Sequence, residues 1–251
     1  MNLLDRLAAV QERGGRAVLF TVVEGEGVGA KFLVEEGETG VELAEQADEV
    51  IRGARNTLLD LGDRKVFGEV YMPPPRLFIH GAVDTAEALC HAAKHLGWTT
   101  IVADARRAFA TTRRMPSADE LIVEWPLEAT ARVAPDHQTA IVVLTHDAKF
   151  DQPALEAALA SEAFYIGALG SRRNQEKRRA RLLEAGVPED ALARIAGPCG
   201  LDIGAESQEE TALSILGEIL AVRAGRSGGF LRDAKRRIHA QEDTPAPSPA
   251  G

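Results

Sequence analysis

From Arg76 onward, short apolar runs of this chain alternate with segments that have helical spacing. The predicted strands are Arg76 to Ile79, Thr99 to Ala103, Leu121 to Glu124, Ala140 to Leu144 and Phe164 to Ile166. The predicted helices are Thr85 to Leu96, Pro153 to Ala160, a basic helix after Ser171, and Glu209 to Arg223. Parallel strands need long crossover connections, so this alternation predicts an α/β fold, a Rossmann-like parallel sheet with helices on both faces.

The residues before this alternation predict a small α+β N-terminal unit. Its predicted elements are a helix at Met1 to Glu12, strands at Ala17 to Val23 and Ala30 to Val34, a helix at Val41 to Leu61 and a strand at Lys65 to Tyr71. The stiff breaker Pro73–Pro75 separates the predicted domains, 1–72 and 75–240. Residues 241–251 are rich in Pro, Ala and Ser, which predicts a disordered tail.

Composition excludes several classes of protein. The chain has 251 residues, of which 45% are hydrophobic and 27% charged, as in ordinary globular proteins. Its net charge of −9 argues against nucleic acid as a partner, and no apolar run has the length of a membrane span. Cys90 and Cys199 are too few for a disulfide framework or a cysteine metal cage. We therefore expect a cytoplasmic protein that binds neither nucleic acid nor membrane and has no metal site of its own.

The segment after the last predicted strand carries the strongest signal for ligand binding. It reads Gly167, Ala168, Leu169, Gly170 and Ser171, and then Arg172 and Arg173. The glycines let the backbone turn tightly and approach a ligand, and Ser171 can cap a helix whose first N–H groups form an anion site. Arg172 and Arg173 lie in that first turn, where a bound phosphate would offset their repulsion by the helix dipole. The alternative is a solvated helix face, which we expect for Lys177, Arg178 and Arg181.

Three motifs in this part of the chain resemble one known family. They are YIGALGSRR (Tyr165 to Arg173), GLDIGA (Gly200 to Ala205) and ETALSILGEILAVR (Glu210 to Arg223). Over roughly Pro75 to Arg223 the chain resembles the XdhC/CoxI family, accessory proteins for molybdenum hydroxylases such as xanthine dehydrogenase and carbon monoxide dehydrogenase. The resemblance implies that the chain binds and protects the molybdenum cofactor, as a pterin mono- or dinucleotide. It also implies help with sulfuration of the cofactor and its insertion into the hydroxylase apoenzyme.

The first turn of the Rossmann-like domain departs from the dinucleotide-binding pattern. It reads Gly81, Ala82, Val83, Asp84, Thr85 and Ala86 in place of G-x-G-x-x-G/A. Gly81 suits the tight turn, and Gly81 and Ala82 are candidate cofactor contacts. Val83 places an isopropyl group where a pyrophosphate would approach, and the carboxylate of Asp84 would repel phosphate. The turn in the XdhC/CoxI family is usually Gly-Ala-Gly-His, so NAD(P) is a candidate ligand that Val83 and Asp84 disfavour.

Further candidate residues follow other predicted elements, and each has a plain structural alternative. Asp104 has the place of a ribose-binding acid or of a turn residue. Thr145, His146 and Asp147 match a Thr-His-Asp of the family, and His146 could donate to a phosphate or act in acid–base chemistry with Asp147 orienting it. An Asx-type turn is the alternative there. Asp202, in a turn between two glycines, is a candidate ligand contact or a turn residue.

The cysteines and the N-terminal unit bear on sulfur chemistry. Cys199 precedes the second glycine turn, where a thiol could hold molybdenum or relay sulfur, but we predict a packed, inert side chain, and a core position for Cys90. Full-length relatives carry a Gly-Ser…Gly-Gly-Cys-Val-Glu segment, whereas the corresponding region here, Glu36 to Glu42, has no cysteine. The chain thus resembles a shortened, divergent member of the family.

Three functions remain open on the sequence, and no catalytic residue is assigned. The first is the cofactor-binding accessory protein, with a hydroxylase apoenzyme and a full-length XdhC paralogue as partners. The second is an NAD(P)-dependent oxidoreductase, against which Val83 and the lack of a Tyr–Lys or Cys–His pair count. The third is a non-catalytic interaction module with a vestigial nucleotide pocket. A homodimer is a further candidate, because the last helix carries the apolar residues Leu213, Ile215, Leu216, Ile219 and Leu220.

Overall fold

The computed structural model describes residues 2–234, which form two compact units. The first unit ends at Pro73 and the second spans Pro74–Asp233. The predicted tail at 241–251 lies outside the described residues. Within residues 2–234, every helix is too short or too polar to cross a membrane.

The first unit is a four-stranded antiparallel sheet with two helices. Its elements are α1 (Leu3–Glu12), β1 (Ala17–Gly25), β2 (Lys31–Glu35), α2 (Ala44–Gly53), β3 (Thr57–Asp60) and β4 (Arg64–Tyr71). The strand order is β2-β1-β4-β3, and each neighbouring pair is antiparallel. The side chains of Phe20, Ile51 and Val66 are buried in its core. The predicted small α+β unit is thus confirmed.

The prediction of a single helix over Val41 to Leu61 is wrong. The helix α2 ends at Gly53, where Ala54 adopts the left-handed conformation (φ +49°) and donates its N–H to the carbonyl of Ile51. The residues that follow form β3, in which Leu59 pairs with Val66 of β4. A short apolar run fits a helix or a strand equally well by spacing alone, and here the pairing partner in β4 decides.

The second unit contains a six-stranded sheet in which every neighbouring pair of strands is parallel. Its elements in chain order are β5 (Arg76–His80), α3 (Asp84–Lys94), β6 (Thr99–Ala103), β7 (Glu120–Ile122), α4 (Pro126–Val133), β8 (Thr139–Val143), α5 (Ala148–Leu159), β9 (Tyr165–Ala168), α6 (Arg172–Glu184), α7 (Glu189–Leu192), β10 (Ile195–Ala196), α8 (Gln208–Arg223) and a 3-10 turn (Leu231–Asp233). The strand order is β10-β9-β8-β5-β6-β7. This is the doubly wound order, and it confirms the predicted Rossmann-like fold.

Helices cover both faces of this sheet, so its strands are buried on both sides. Leu77 and Ile79 of β5 pack in the core cluster that includes α3 and α8, whereas Phe78 packs in the cluster that includes α4, α5 and α6. Alternate side chains of a strand point to opposite faces, so one strand serves both cores. All five residues of β8 are buried, which explains why the strand is a continuous apolar run.

Of the element ends that differ from the predictions, two bear on the candidate site. The helix α5 begins at Ala148 rather than at Pro153, because the side chain of Asp147 accepts the N–H of Lys149 and so caps the helix earlier. The strand β9 continues to Ala168, so Gly167 and Ala168 belong to the sheet and not to the turn, where we predicted them. A Cβ on Gly167 would lie 2.7 Å from the ring of Tyr165, which accounts for a glycine inside this strand. The elements α4, α7 and β10 were not predicted.

The residue that ends α4 offers a test of the backbone geometry. Ala134 adopts the left-handed conformation there, at φ +44°. Ala134→Gly should raise the free energy of unfolding by about 0.5–1 kcal/mol, because glycine adopts this conformation without strain. The same change at Ala131, exposed within α4, should lower it by a similar amount. Urea unfolding measures both, and a loss of stability in Ala134→Gly would contradict the assignment.

Candidate cofactor-binding site

The strand order of the second unit reverses between β5 and β8, at the edge where doubly wound sheets bind ligands. Gly81 follows β5 and Thr145 follows β8. A Cβ on Gly81 would lie 2.9 Å from Cγ2 of Thr145, and the φ of Gly81 is +109°. Two of the predicted site residues therefore meet at this crevice, and only glycine fits at position 81.

The first turn of α3 contains two carboxylates, those of Asp84 and Glu87. Val83 is the N-cap residue, and its side chain packs against the core. Asp84 forms an ion pair with Arg114 (Oδ1 to Nη2, 3.1 Å), and Glu87 accepts the N–H of Ser117 at 3.2 Å. Carboxylates stabilise the positive end of a helix. A phosphate brought to this turn would meet two negative charges.

Asp104 joins the first turn to the loop after β6. Its Oδ2 accepts the N–H of Ala82 at 3.0 Å and Nη2 of Arg106 at 2.7 Å, and its Oδ1 accepts the N–H and Nε of Arg106, each at 2.9 Å. These bonds fill the four lone-pair positions of the carboxylate. Burial raises the pKa of Asp104, but the hydrogen bonds from Arg106 and Ala82 outweigh it and hold the pKa below its usual value. Ribose binding by Asp104 would require displacement of one of these donors.

The three residues after β8 have different surroundings. Thr145 is buried, and its Oγ1 donates to Oδ1 of Asp151 at 2.5 Å. The carboxylate of Asp147 caps α5, and among residues 2–234 it forms no hydrogen bond with His146. His146 is exposed. Of the three, His146 is the residue whose polar side chain is free to meet a ligand.

A buried ion pair connects the start of α5 with α6. Nη2 of Arg178 lies 2.6 Å from Oδ2 of Asp151, and the two side chains are 4% and 3% exposed. Nη1 of Arg178 donates to Oε1 of Gln175 at 2.5 Å, and Nε2 of Gln175 donates to the carbonyl of Ala168 at 2.9 Å. The prediction that Arg178 lies on a solvated face is wrong, because Gln175, Arg178 and Leu182 share the face of α6 that packs on the sheet.

The start of α6 differs from the start of α3 in charge. Ser171 caps the helix by accepting the N–H of Asn174 at 3.4 Å, and the first turn contains no acidic residue. Arg172 and Arg173 are exposed, and neither forms an ion pair within residues 2–234. Gly170, just before the cap, has φ +135°. Two cations without partners beside the N–H groups of a helix start make a positively charged site.

A cavity of about 430 Å³ opens beside Arg172. Gln175 and Arg179 of α6 line it, together with Ile195, Gly197 and Pro198 from β10 and the loop after it. The cavity therefore lies next to the charged helix start, at the carboxyl end of the sheet. It leaves room for a ligand that is held at Arg172.

A larger cavity, of about 860 Å³, lies between α3 and α8, on the outside of the helical layer. Leu213 and Leu220 line it and are 58% and 38% exposed, whereas Ile215, Leu216 and Ile219 are buried against the sheet of their own unit. The apolar side chains of α8 are thus divided between the core and this groove. The lining of this groove includes none of the predicted site residues.

Hydrogen bonds hold the second glycine turn, Gly200 to Gly204, against α8. The N–H of Gly200 donates to Oε2 of Glu218 at 2.8 Å, and Oγ of Ser214 donates to the carbonyl of Leu201 at 2.6 Å. Asp202 lies exposed in this turn, and its carboxylate has no hydrogen-bond or ion-pair partner within residues 2–234. Asp202 is therefore free to contact a ligand.

Neither thiol is placed for sulfur chemistry. Cys90, a residue of α3, is fully buried in the core, and Cys199 is 8% exposed. Burial raises the pKa of each thiol to about 12, so both are protonated at neutral pH and are poor nucleophiles. The described part of the chain also lacks a group of three or more His, Cys, Asp or Glu side chains arranged to hold a metal ion.

Several polar residues of this edge were not predicted as site residues. Asp151 and Gln175 belong to the buried network, and the signal in α6 was the spacing of Gln175, Arg178 and Leu182 on one helical face. His80 ends β5, and its Nε2 lies 3.2 Å from Oγ1 of Thr130. Burial lowers the pKa of His80 to about 4, although Asp104 opposes this, so the imidazole is neutral at pH 7. No sequence signal separates such a histidine from an ordinary strand-end residue.

The strand order and the charged helix start at the carboxyl edge define the second unit as a Rossmann-type domain. The chain belongs to the XdhC Rossmann domain family, whose family model matches residues 77–219. This confirms the resemblance of the three motifs.

Two curated bacterial relatives are each similar to about 60% of the chain. A protein of Bacillus subtilis (strain 168), named as a probable subunit of xanthine dehydrogenase, is 35% identical over 151 residues, which is 60% of this chain and 44% of that protein. The molybdenum cofactor insertion chaperone PaoD of Escherichia coli (strain K12) is 30% identical over 153 residues, 61% of this chain and 42% of that protein. The chain thus matches less than half the length of each relative.

A solved structure extends the similarity beyond the Rossmann domain. A crystal structure described as a xanthine dehydrogenase from Bacillus halodurans matches with a TM-score of 0.65 and 26% sequence identity. The match covers 92% of this chain and 66% of that chain.

Replacing only Arg178 of the buried ion pair should lower the free energy of unfolding by more than expected for an exposed arginine. Arg178→Met leaves the carboxylate of Asp151 buried without its cation, and we expect a loss of about 3–5 kcal/mol in the free energy of unfolding. The double variant Asp151→Asn/Arg178→Met should lose less than the two single variants together. Arg179→Met, a change in the exposed neighbour, is the control and should have little effect. Losses that simply add in the double variant would contradict the coupling.

The two thiols should resist alkylation in the folded protein. Because the pKa of each is raised to about 12, the reactive thiolate is scarce at pH 8, and burial blocks access as well. Iodoacetamide at pH 8 should leave the intact mass unchanged in buffer, and add two groups in denaturant. Rapid labelling of Cys199 without denaturant would show that it is accessible.

Proposed function

We propose that this protein binds the molybdenum cofactor and assists its sulfuration and its insertion into a molybdenum hydroxylase apoenzyme such as xanthine dehydrogenase. Membership of the XdhC Rossmann domain family supports this accessory role, as does the name of the similar chaperone from Escherichia coli. The observation that carries the proposal is the start of α6, where Arg172 and Arg173 lie unpaired in a first turn without an acid.

The charge of that first turn is unusual within the second unit. The first turns of α3, α4, α5 and α8 each contain an acidic residue, as the helix dipole favours. Two arginines at the same place in α6 are disfavoured by about 0.3–1 kcal/mol each. A bound phosphate reverses that balance, because it accepts from the N–H groups and pairs with both guanidinium groups. The cofactor carries one phosphate in its pterin form and two as a dinucleotide, so both forms suit this turn.

The surrounding residues fit the rest of such a cargo. In this proposal the N–H groups of Ser171, Arg172 and Arg173 hold the phosphate, and Gly170 lets the backbone approach it. His146 and Asp202, exposed in the neighbouring turns, contact the remainder. The contribution of Gly167 and Ala168 is limited to the backbone, because both lie inside β9.

The other predicted residues act indirectly in this proposal. Thr145 supports the site through its hydrogen bond to Asp151, and Asp147 does so by capping α5. On the opposite side of the crevice from α6 lie Asp104, Gly81 and Ala82. In this proposal they contact only a ligand long enough to cross the crevice. NAD(P) is a poor candidate for the first turn, because Asp84 and Glu87 already occupy the positive end of α3.

In sulfuration, a sulfur ligand would replace an oxygen ligand of the molybdenum centre, and the chain's own role in this proposal is to hold the phosphate end. Cys90 and Cys199 are buried with raised pKa values, so the sulfur donor in this proposal is another protein. The partners proposed are the hydroxylase apoenzyme, which receives the cofactor, and a full-length XdhC paralogue, whose N-terminal cysteine segment would complement this chain.

The charged turn can be tested with a matched pair of double variants. Arg172→Ala/Arg173→Ala should reduce retention of the cofactor at least about tenfold, because both phosphate partners are lost, and should leave the melting temperature nearly unchanged. Lys177→Ala/Arg181→Ala removes the same charge from later turns of α6, outside the lining of the cavity, and should retain the cofactor. The measurement is native mass spectrometry of protein purified anaerobically from cells that synthesise the molybdenum cofactor.

The masses decide between the outcomes. A pterin or pterin-dinucleotide mass on the unaltered protein and on the Lys177 variant, but not on the Arg172 variant, supports the proposal and shows which form is bound. Equal retention by all three proteins would remove the anion site. A bare unaltered chain would favour the non-catalytic interaction module.

A further inference from the structure

Trp125 is an exposed aromatic residue at the carboxyl edge of the parallel sheet. It follows β7 and is the N-cap residue of α4. Its exposed fraction is 53%, whereas Trp98, the other tryptophan of the chain, is 4% exposed. Exposure of so large an apolar ring at the ligand-binding edge of a Rossmann-type sheet indicates a contact made with something outside the chain.

The ring of Phe150 packs against the ring of Trp125. The ring centroids of Trp125 and Phe150 are 5.2 Å apart, and the ring planes are inclined at 33°. Phe150, at the start of α5, is only 6% exposed and is therefore fixed in place. Within residues 2–234, Phe150 is the only ring that contacts Trp125. The pair presents a firm aromatic surface with the indole outermost.

Two cations stand beside this surface and retain unused donors. Nζ of Lys149 lies 4.7 Å from the centroid of Phe150, and Cζ of Arg106 lies 5.5 Å from it. Arg106 uses Nε and one N–H of Nη2 for Asp104, so three of its five N–H donors face no acceptor within the described residues. The side chain of Lys149 is 60% exposed. A ligand that binds at this pair of rings would therefore lie near two cations that have free N–H donors.

We infer that Trp125 and Phe150 form a stacking platform for a flat heteroaromatic ring of the pterin or guanine type. Guanine and an oxidised pterin such as neopterin share a carbonyl oxygen close to a ring nitrogen acceptor, the pattern that an arginine recognises with two N–H groups. Arg106 supplies such donors, and Trp125 supplies the stacking face. The identity of this ring as part of the molybdenum cofactor rests on the proposed function. The residues of the platform are separate from those of the α6 turn, so each can fail alone.

The alternative occupant of this surface is a protein. Val123 and Leu127 flank Trp125 in sequence and are 37% and 55% exposed. An apolar protein contact would use all three side chains and would not need the donors of Arg106 and Lys149. The cations beside the rings favour the heteroaromatic ligand, and substitution at Leu127 separates the two cases.

Neopterin, which has the pterin ring and no phosphate, is the probe for the platform. Binding should quench the fluorescence of Trp125, since Trp98 is buried and does not report on the surface. Calorimetry should show that Trp125→Leu weakens neopterin binding about tenfold or more, while Trp125→Phe, which keeps a ring, stays within about threefold. Phe230→Leu is the matched control, because Phe230 is an exposed aromatic residue outside the platform. All variants are expected to keep the melting temperature.

Four results would overturn the inference. They are no binding of neopterin or guanosine monophosphate, unchanged binding in Trp125→Leu, equal binding of cytidine monophosphate, and a loss of hydroxylase association in both Trp125→Leu and Leu127→Ala without ligand binding. Preference for neopterin over guanosine monophosphate would identify the ring as a pterin, and the reverse would identify a guanine nucleotide.

The same titration separates this inference from the phosphate proposal. Arg172→Ala/Arg173→Ala should bind neopterin like the unaltered protein, because the probe has no phosphate. If that variant loses the molybdenum cofactor while neither neopterin nor guanosine monophosphate binds at Trp125, the α6 site stands and the platform does not.

Discussion

The ion pair of Asp151 and Arg178 is the interaction on which the geometry of the carboxyl edge depends. Two charges that are almost fully removed from water are tolerated only when each finds several partners. Thr145 donates a hydrogen bond to Asp151, and Arg178 donates to Gln175 and to a main-chain carbonyl. The pair therefore links the ends of β8 and β9 to α6 and sets where the first turn of α6 can point. The exposed arginines of that turn are free to serve a ligand because the buried one holds the helix.

The two helix starts at this edge carry opposite charges. In the usual dinucleotide-binding domain the first turn receives the phosphates. Here Asp84 and Glu87 lie at that helix start, and the cations lie at the start of α6, on the other side of the reversal in strand order. A ligand held at α6 is anchored from the opposite side of the crevice. In the proposed function, the crevice and the surface around Trp125 are left for the part of the ligand that carries no phosphate.

The sequence was a good guide to the layers of the fold and a weaker guide to its contacts. Alternation of strands and helices, with the glycine turns, predicted the parallel sheet, because that pattern is local. The split of the Val41 to Leu61 segment was missed, since pairing with β4 is a long-range contact. The burial of Arg178 was missed for the same reason, because its partner Asp151 lies on another helix. Ser171 was predicted as a cap correctly, since capping depends only on neighbours in the chain.

The burial of both thiols also bears on how a cargo would be released in the proposed function. A carrier with an open cysteine would risk a mixed disulfide with any persulfide-bearing protein that docks beside it, and release would then wait for a reductant. Cys90 and Cys199 lie inside the core, so in the proposed carrier role neither thiol would bond covalently to a cargo at the carboxyl edge. Transfer from such a site is a matter of competing affinities, and a recipient that binds more tightly empties it without any chemical step.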